Sequence, residues 1–182
     1  MSVTRHHLRL AFKAFNSAAT AQAASTKIPI GVVAKGGFVA QELGIDRPTK
    51  DVDIDVYTLP AAWESFKPKL VEAGIYVKDS SSGSTINATW TDPSNKNIHV
   101  GLDLHQQDPQ YMPKDKILSM TMDKYTFQFY DFVGFLEIKI KAASRRESET
   151  DTTDIEKICQ IRKVALIESV KNKEINVTDE EL

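Results

Sequence analysis

The stretch Asp51 to Tyr57 reads Asp, Val, Asp, Ile, Asp, Val, Tyr. A strict period of two belongs to a β-strand, whose side chains alternate between the two faces of a sheet, and a helix cannot carry it. One face of this strand is aliphatic and must look onto a core. The other carries Asp51, Asp53 and Asp55. Like charges two residues apart repel unless solvent or a cation screens them. The strand is therefore either a solvated edge or one wall of a charged site, and the neighbouring sequence decides between the two.

Upstream, Ile28-Pro29-Ile30-Gly31-Val32-Val33-Ala34 is a short apolar run rich in β-branched residues, which predicts a buried strand. It runs into Gly36-Gly37. Phe38 to Leu43 then has helical spacing and stops at Gly44, which suits a left-handed C-terminal cap. Two glycines after a buried strand let the backbone approach a ligand closely, and a following helix N-terminus offers free N–H groups and a positive dipole end. That combination favours phosphate oxygens. Lys35, Arg47 and Lys139 are cations that can meet the remaining phosphate charge.

The acidic strand suits a hard divalent cation. Carboxylates at alternate strand positions aim at one region of space, and magnesium takes oxygen ligands, completing its shell with water and substrate phosphates. A third carboxylate from a neighbouring strand can help bridge a second ion. Asp103, in the alternating run His99-Val100-Gly101-Leu102-Asp103-Leu104, is the candidate. On residues alone the metal pair is Asp51/Asp53 or Asp53/Asp55. His6, His7, His99 and His105 read as exposed or supporting side chains rather than ligands, with His105 placed to contact an acceptor.

The remaining chain supplies a frame. Leu8, Phe12, Phe15 and Ala19 form one stripe at helical spacing, so residues 1–27 read as an N-terminal helix. The basic, acid-free start Met1 to Ser25 also has the composition of an organellar leader, a reading set below the helix. Ala61 to Ala73 is a helix with Pro68 as a kink or break. Ile75–Lys78, Thr85–Thr91 and Ile98–Leu104 are three strands of an antiparallel meander. His105 to Asp115 lacks periodicity and reads as a surface loop, with Tyr111 and Met112 available to an acceptor. Tyr125–Phe129 is a strand. Asp131 caps a helix from Phe132 to about Arg146, and a second helix runs from about Thr152 to Val170. Cys159, the only cysteine, excludes an internal disulfide and reads as a small buried residue of that last helix.

Taken together, Lys35-Gly36-Gly37-Phe38, then Arg47-Pro48-Thr49-Lys50-Asp51-Val52-Asp53-Ile54, resembles the signature of the polymerase-β-like nucleotidyltransferases, in particular their small bacterial-type members. The likeness continues in Leu136-Glu137-Ile138-Lys139-Ile140-Lys141-Ala142, in Arg145 or Arg146, and in Asp151-Thr152-Thr153-Asp154-Ile155. It spans the chain from about Ile30 to Val170. The resemblance implies that Asp51 and Asp53 bind magnesium together with a nucleoside triphosphate, that Asp103 completes a two-ion site and acts as general base, and that Gly36 and Gly37 contact the phosphates. It further implies that Lys139 faces the triphosphate and that Arg47 and Thr49 brace the turn or touch the nucleotide. Asp51/Asp53 is the pair that keeps the Arg-x-Thr-x-Asp phase. Two departures stand out: many active members carry Ser where this chain has Gly37, and Asp55 is an acid that the pattern does not require.

The fold expected is α/β (α+β), a small mixed sheet with flanking helices and two C-terminal helices, in one domain over residues 1–182. The function expected is magnesium-dependent transfer of a nucleoside monophosphate from a nucleoside triphosphate to a hydroxyl on a small molecule, a protein or RNA. The alternative is a silent nucleotide- or partner-binding module of the same fold, such as a toxin–antitoxin component, and a third reading makes the acidic strand a solvated face of an interaction protein. A net charge of -2 gives no global field to gather nucleic acid, and no apolar run approaches a membrane span, so a cytoplasmic protein with no membrane partner is expected.

Overall fold

The computed structural model describes residues 2–78, 85–122, 125–146 and 148–171. Its central strand is the alternating run itself, β2 (Asp51–Tyr57). Val52, Ile54 and Val56 are fully buried on one face, which leaves the aspartates to the other. On one side β2 pairs antiparallel with β1 (Gly31–Lys35), and on the other it runs parallel to β5 (His99–Gln107). Beyond β5 lie β4 (Thr85–Thr91) and β3 (Ile75–Val77), joined as the expected antiparallel meander. Beyond β1 lies β7 (Tyr125–Tyr130), parallel to it, and then β6 (Ile117–Met122). Among the described residues this makes one mixed seven-stranded sheet, ordered β3-β4-β5-β2-β1-β7-β6.

The helix α1 (Arg5–Thr26) covers the aliphatic face with the predicted stripe, since Leu8, Phe12, Phe15 and Ala19 are all buried. Phe12 meets Phe38 and Phe127, and Phe15 stands edge-on to Phe66 at 5.5 Å between ring centroids. Such rings are each worth about 1.5–3 kcal/mol of burial. A second tie joins α1 to α2 (Gly36–Glu42): Arg5 and Arg9 each fork onto the Glu42 carboxylate at 2.9–3.0 Å. Helix α3 (Pro60–Glu72) contributes Trp63, Phe66 and Leu70 to the same core. Pro68 sits inside α3 without ending it. The two C-terminal helices are α4 (Phe132–Arg146) and α5 (Glu149–Lys171), and the Asp131 cap is present, Gly134 N–H donating to its Oδ1 at 2.8 Å. No helix among the described residues is long and apolar enough to cross a membrane.

Several expectations need correction. The strand ending near Leu104 continues through His105, Gln106 and Gln107, because β2 offers backbone partners as far as Tyr57↔Gln107. The expected loop is thereby shortened, and what remains holds two short 3-10 turns, Pro109–Tyr111 and Lys114–Lys116. Strand β6 has no counterpart among the expected elements. Its mixed run Ile117-Leu118-Ser119-Met120-Thr121-Met122 becomes a strand by pairing with β7. Gly36 and Gly37 form the first turn of α2 rather than a turn before it, and α5 begins at Glu149 rather than near Thr152. Cys159 is exposed, not buried, because it lies on the outer side of α5 while Ile158 turns inward.

Candidate active site

Because β1, β2, β5 and β4 pair in register, side chains on the acidic face fall into rows. One row reads Lys35, Asp53, Asp103, Asn87 across four strands, and the next reads Val33, Asp55, His105, Thr85. Asp51 lies two residues before Asp53, beside Gly101. The three candidate carboxylates therefore share one face at adjoining positions and do not lie on separate surfaces.

Over this face, α4 and α5 enclose a cleft of about 490 Å³. Lys35, Gly36, Gly37, Arg47, Asp51 and Asp53 line its sheet side together with His105, and Lys139, Arg145 and Asp151 line its helical side. Gly36 is required by geometry. Its φ is +67°, and a Cβ there would lie 1.8 Å from Asp53 Oδ2, so any side chain would displace the carboxylate. Gly37 is packed from the other side, where a Cβ would lie 2.9 Å from both Cβ and Oγ1 of Thr49. A serine at position 37 would thus collide with the Thr49 hydroxyl. That hydroxyl donates to Asp51 Oδ1 at 2.7 Å and holds the carboxylate in place.

The electrostatics follow from this crowding. Burial pushes the Asp53 carboxyl up to about 6, with the charges of Asp51 and Asp103 adding to the rise and those of Lys35 and Lys139 opposing it. Burial and the Asp51 charge also raise Asp103. His105 is lowered by burial and by Lys35, which favours its neutral ring.

The candidate cations are all paired. Lys139 is buried and donates to Asp151 at 2.8 Å, and its Nζ lies 2.8 Å from Asp154. Arg47 binds the same Asp154. Two cations and two carboxylates thus tie α4, α5 and the segment before β2 into one buried network. Lys35 instead pairs with Asp55 at 2.6 Å. Asp55 Oδ2 accepts from the Tyr130 hydroxyl at 2.7 Å, and that hydroxyl lies 2.6 Å from the hydroxyl of Tyr57. Both Asp55 oxygens are thus engaged, by Lys35 and Tyr130, whereas Asp51 and Asp53 line the cleft.

Of the residues assigned to the site from sequence, Asp51, Asp53, Gly36, Gly37, Arg47 and Lys139 line the cleft, whereas Asp103 stands beside Asp53 in the sheet and Thr49 behind Asp51, both outside the lining. Asp151 and Asp154 were legible only as parts of a helix motif, and their role as counter-charges needs three elements in contact. Tyr130 carried no signal of its own, and Arg145 was marked only as an alternative to Arg146 in the family likeness; the structure places Arg145 at the cleft. The donor chemistry fits magnesium, with hard carboxylate oxygens of Asp51 and Asp53 at an open cleft, Asp53 raised first by burial and then by its carboxylate neighbours. Among the described residues no three His, Cys, Asp or Glu side chains are gathered into a ready-made ion cage. Magnesium commonly takes only one or two carboxylates and completes its shell with water and phosphate.

No family model and no curated protein sequence matches the chain. Solved structures do match it. An antigenic nucleotidyltransferase-like protein from Paracoccidioides brasiliensis aligns with a TM-score of 0.54 at 15% identity, over 84% of this chain and 76% of its own. ANT(2")-Ia in complex with adenylyl-2"-tobramycin aligns at 0.52 and 12%, over 89% and 97%. The lincosamide antibiotic adenylyltransferase LnuA, lincomycin-bound, aligns at 0.50 and 16%, over 78% and 92%. At such identities the likeness is one of fold, shared with these nucleotidyltransferase-like and adenylyltransferase structures.

Proposed function

We propose that this chain is a nucleotidyltransferase that moves a nucleoside monophosphate from a nucleoside triphosphate to an acceptor hydroxyl, with magnesium. The observation that carries the reading is that Asp51 and Asp53 line a cleft beside Gly36, whose missing side chain leaves room for Asp53, with Asp103 in the same row as Asp53 on the neighbouring strand. Bound magnesium would supply charge neutralisation on the phosphates and at the entering and leaving oxygens. Asp51, held by Thr49, and Asp53 are the residues to hold it. Asp103 is the base: it takes the acceptor hydroxyl proton, the freed oxygen forms a bond to the α-phosphorus, and the bond to the bridging oxygen breaks to release pyrophosphate. A carboxyl raised above its ordinary value is a stronger proton acceptor than an unperturbed one, which suits Asp103 to this task.

A second reading, a module that binds nucleotide without turnover, draws on the fact that Arg47 and Lys139 are already neutralised by Asp151 and Asp154. One screen separates the two. Wild type and the Asp51→Ala/Asp53→Ala double variant are incubated with each labelled triphosphate, magnesium, and lysate protein, RNA or hydroxylated small molecules. Small molecules are included because two structures of this fold hold adenylyl-tobramycin and lincomycin. Label transferred only by wild type supports the enzyme. Triphosphate binding by calorimetry without pyrophosphate release, across all acceptors, supports the module.

A further inference from the structure

Asp55 is the acid that the nucleotidyltransferase pattern does not require, yet it is 5% exposed and charged groups are seldom buried without a task. Its surroundings define one. Lys35 donates to Oδ1 from the cleft side, and Tyr130, backed by Tyr57, donates to Oδ2 from the protein side. The pair is thus oriented: the carboxylate is sunk behind two phenols, and the ammonium forms part of the cleft wall. With one donor engaged by Asp55, an ammonium has two more to offer. The other cations at the cleft are placed differently. Lys139 is more deeply buried, with a side chain 5% exposed against 18% for Lys35, and it is gripped by two carboxylates. Arg47 is bound to Asp154, and Arg145 is exposed, where solvent screens it. A polyanion approaching Asp51, Asp53 and Asp103 therefore meets in Lys35 a fixed positive charge in the same row as Asp53 and next to Gly36.

We propose that Lys35 binds the phosphate charge of the triphosphate, and that Asp55 with Tyr130 is the positioning device that holds its ammonium at the cleft wall. The inference rests on the nucleotidyltransferase reading and adds to it a binding residue and a use for the surplus acid. Asp55 itself touches no substrate.

The test is calorimetry of ATP, GTP, CTP and UTP, each with magnesium, against wild type, Lys35→Arg, Lys35→Met and Lys35→Met/Asp55→Leu, with circular dichroism to verify folding. The double variant removes both charges together, so no buried carboxylate is left without a partner. Loss of a hydrogen bond between charged groups should weaken the preferred triphosphate by about 10–100-fold in both Met-containing variants. Lys35→Arg should stay within a fewfold of wild type. A folded double variant that binds triphosphate as wild type does overturns this assignment alone. A double variant that cannot fold makes the pair structural and overturns it too. A folded wild type that binds none of the four triphosphates refutes the nucleotidyltransferase reading, and this inference with it.

Discussion

The most direct physical consequence of the crowded acidic face is that its charge opposes folding, and Asp53→Asn measures by how much. The Asp53 carboxyl rises from an ordinary value of 3.8 to about 6. A group whose value is higher folded than unfolded stabilises the fold below its unfolded value and loses that contribution as pH rises through the folded one. For Asp53 the loss therefore occurs between about pH 4 and pH 6. Each pH unit of difference corresponds to about 1.4 kcal/mol, so the ionised carboxylate costs the metal-free protein up to about 3 kcal/mol at neutral pH. Asparagine keeps the shape without the charge. Urea denaturation of both proteins in EDTA should give coinciding stabilities near pH 4 and a variant more stable by about 1–3 kcal/mol at pH 7. Magnesium should narrow the gap at pH 7 by stabilising wild type and not the variant. A variant equal to or less stable than wild type at pH 7 in EDTA would refute the argument that burial and neighbouring carboxylates strain this position.

Two further substitutions probe the frame around that carboxylate. Gly36→Ala must place a Cβ on Asp53 Oδ2 in a left-handed backbone conformation, so it should cost about 1–3 kcal/mol by denaturation and abolish nucleotidyl transfer; retained activity would show that Asp53 can move without consequence. Lys139→Met removes the buried cation that Asp151 and Asp154 share, and should lower stability by about 3–5 kcal/mol in urea titration, whereas a change under 1 kcal/mol would make the network peripheral.

The sequence is most legible where one element sets its own pattern. The period of two in Asp51–Tyr57 carried both the strand and its acidic face, and the stripe Leu8, Phe12, Phe15, Ala19 carried α1. The sequence is least legible where a segment is structured by its neighbour. His105–Gln107 has no periodicity and became strand because β2 had backbone groups to satisfy, and Ile117–Met122 became strand by pairing with β7. Cys159 went wrong for a related reason: an apolar composition in a helix does not say which side is covered, and Arg162 breaks the helical φ/ψ pattern of α5 three residues later.

The same division holds within the candidate site. Covalent spacing by itself determined that Asp51, Asp53 and Asp55 share a face and that two glycines follow a buried strand, since both depend on a few consecutive dihedral angles. Sequence could not say which two aspartates meet the cleft. In the fold, partners 20 and 75 residues away, Lys35 and Tyr130, engage Asp55, whereas Asp51 and Asp53 line the cleft. Nor could it say that Lys139 and Arg47 share Asp154, a contact across 107 residues in the case of Arg47. Electrostatic pairing acts through space and is indifferent to distance along the chain, so only the folded sheet and its two covering helices sort these charges into those that hold the protein together and those left to face a ligand.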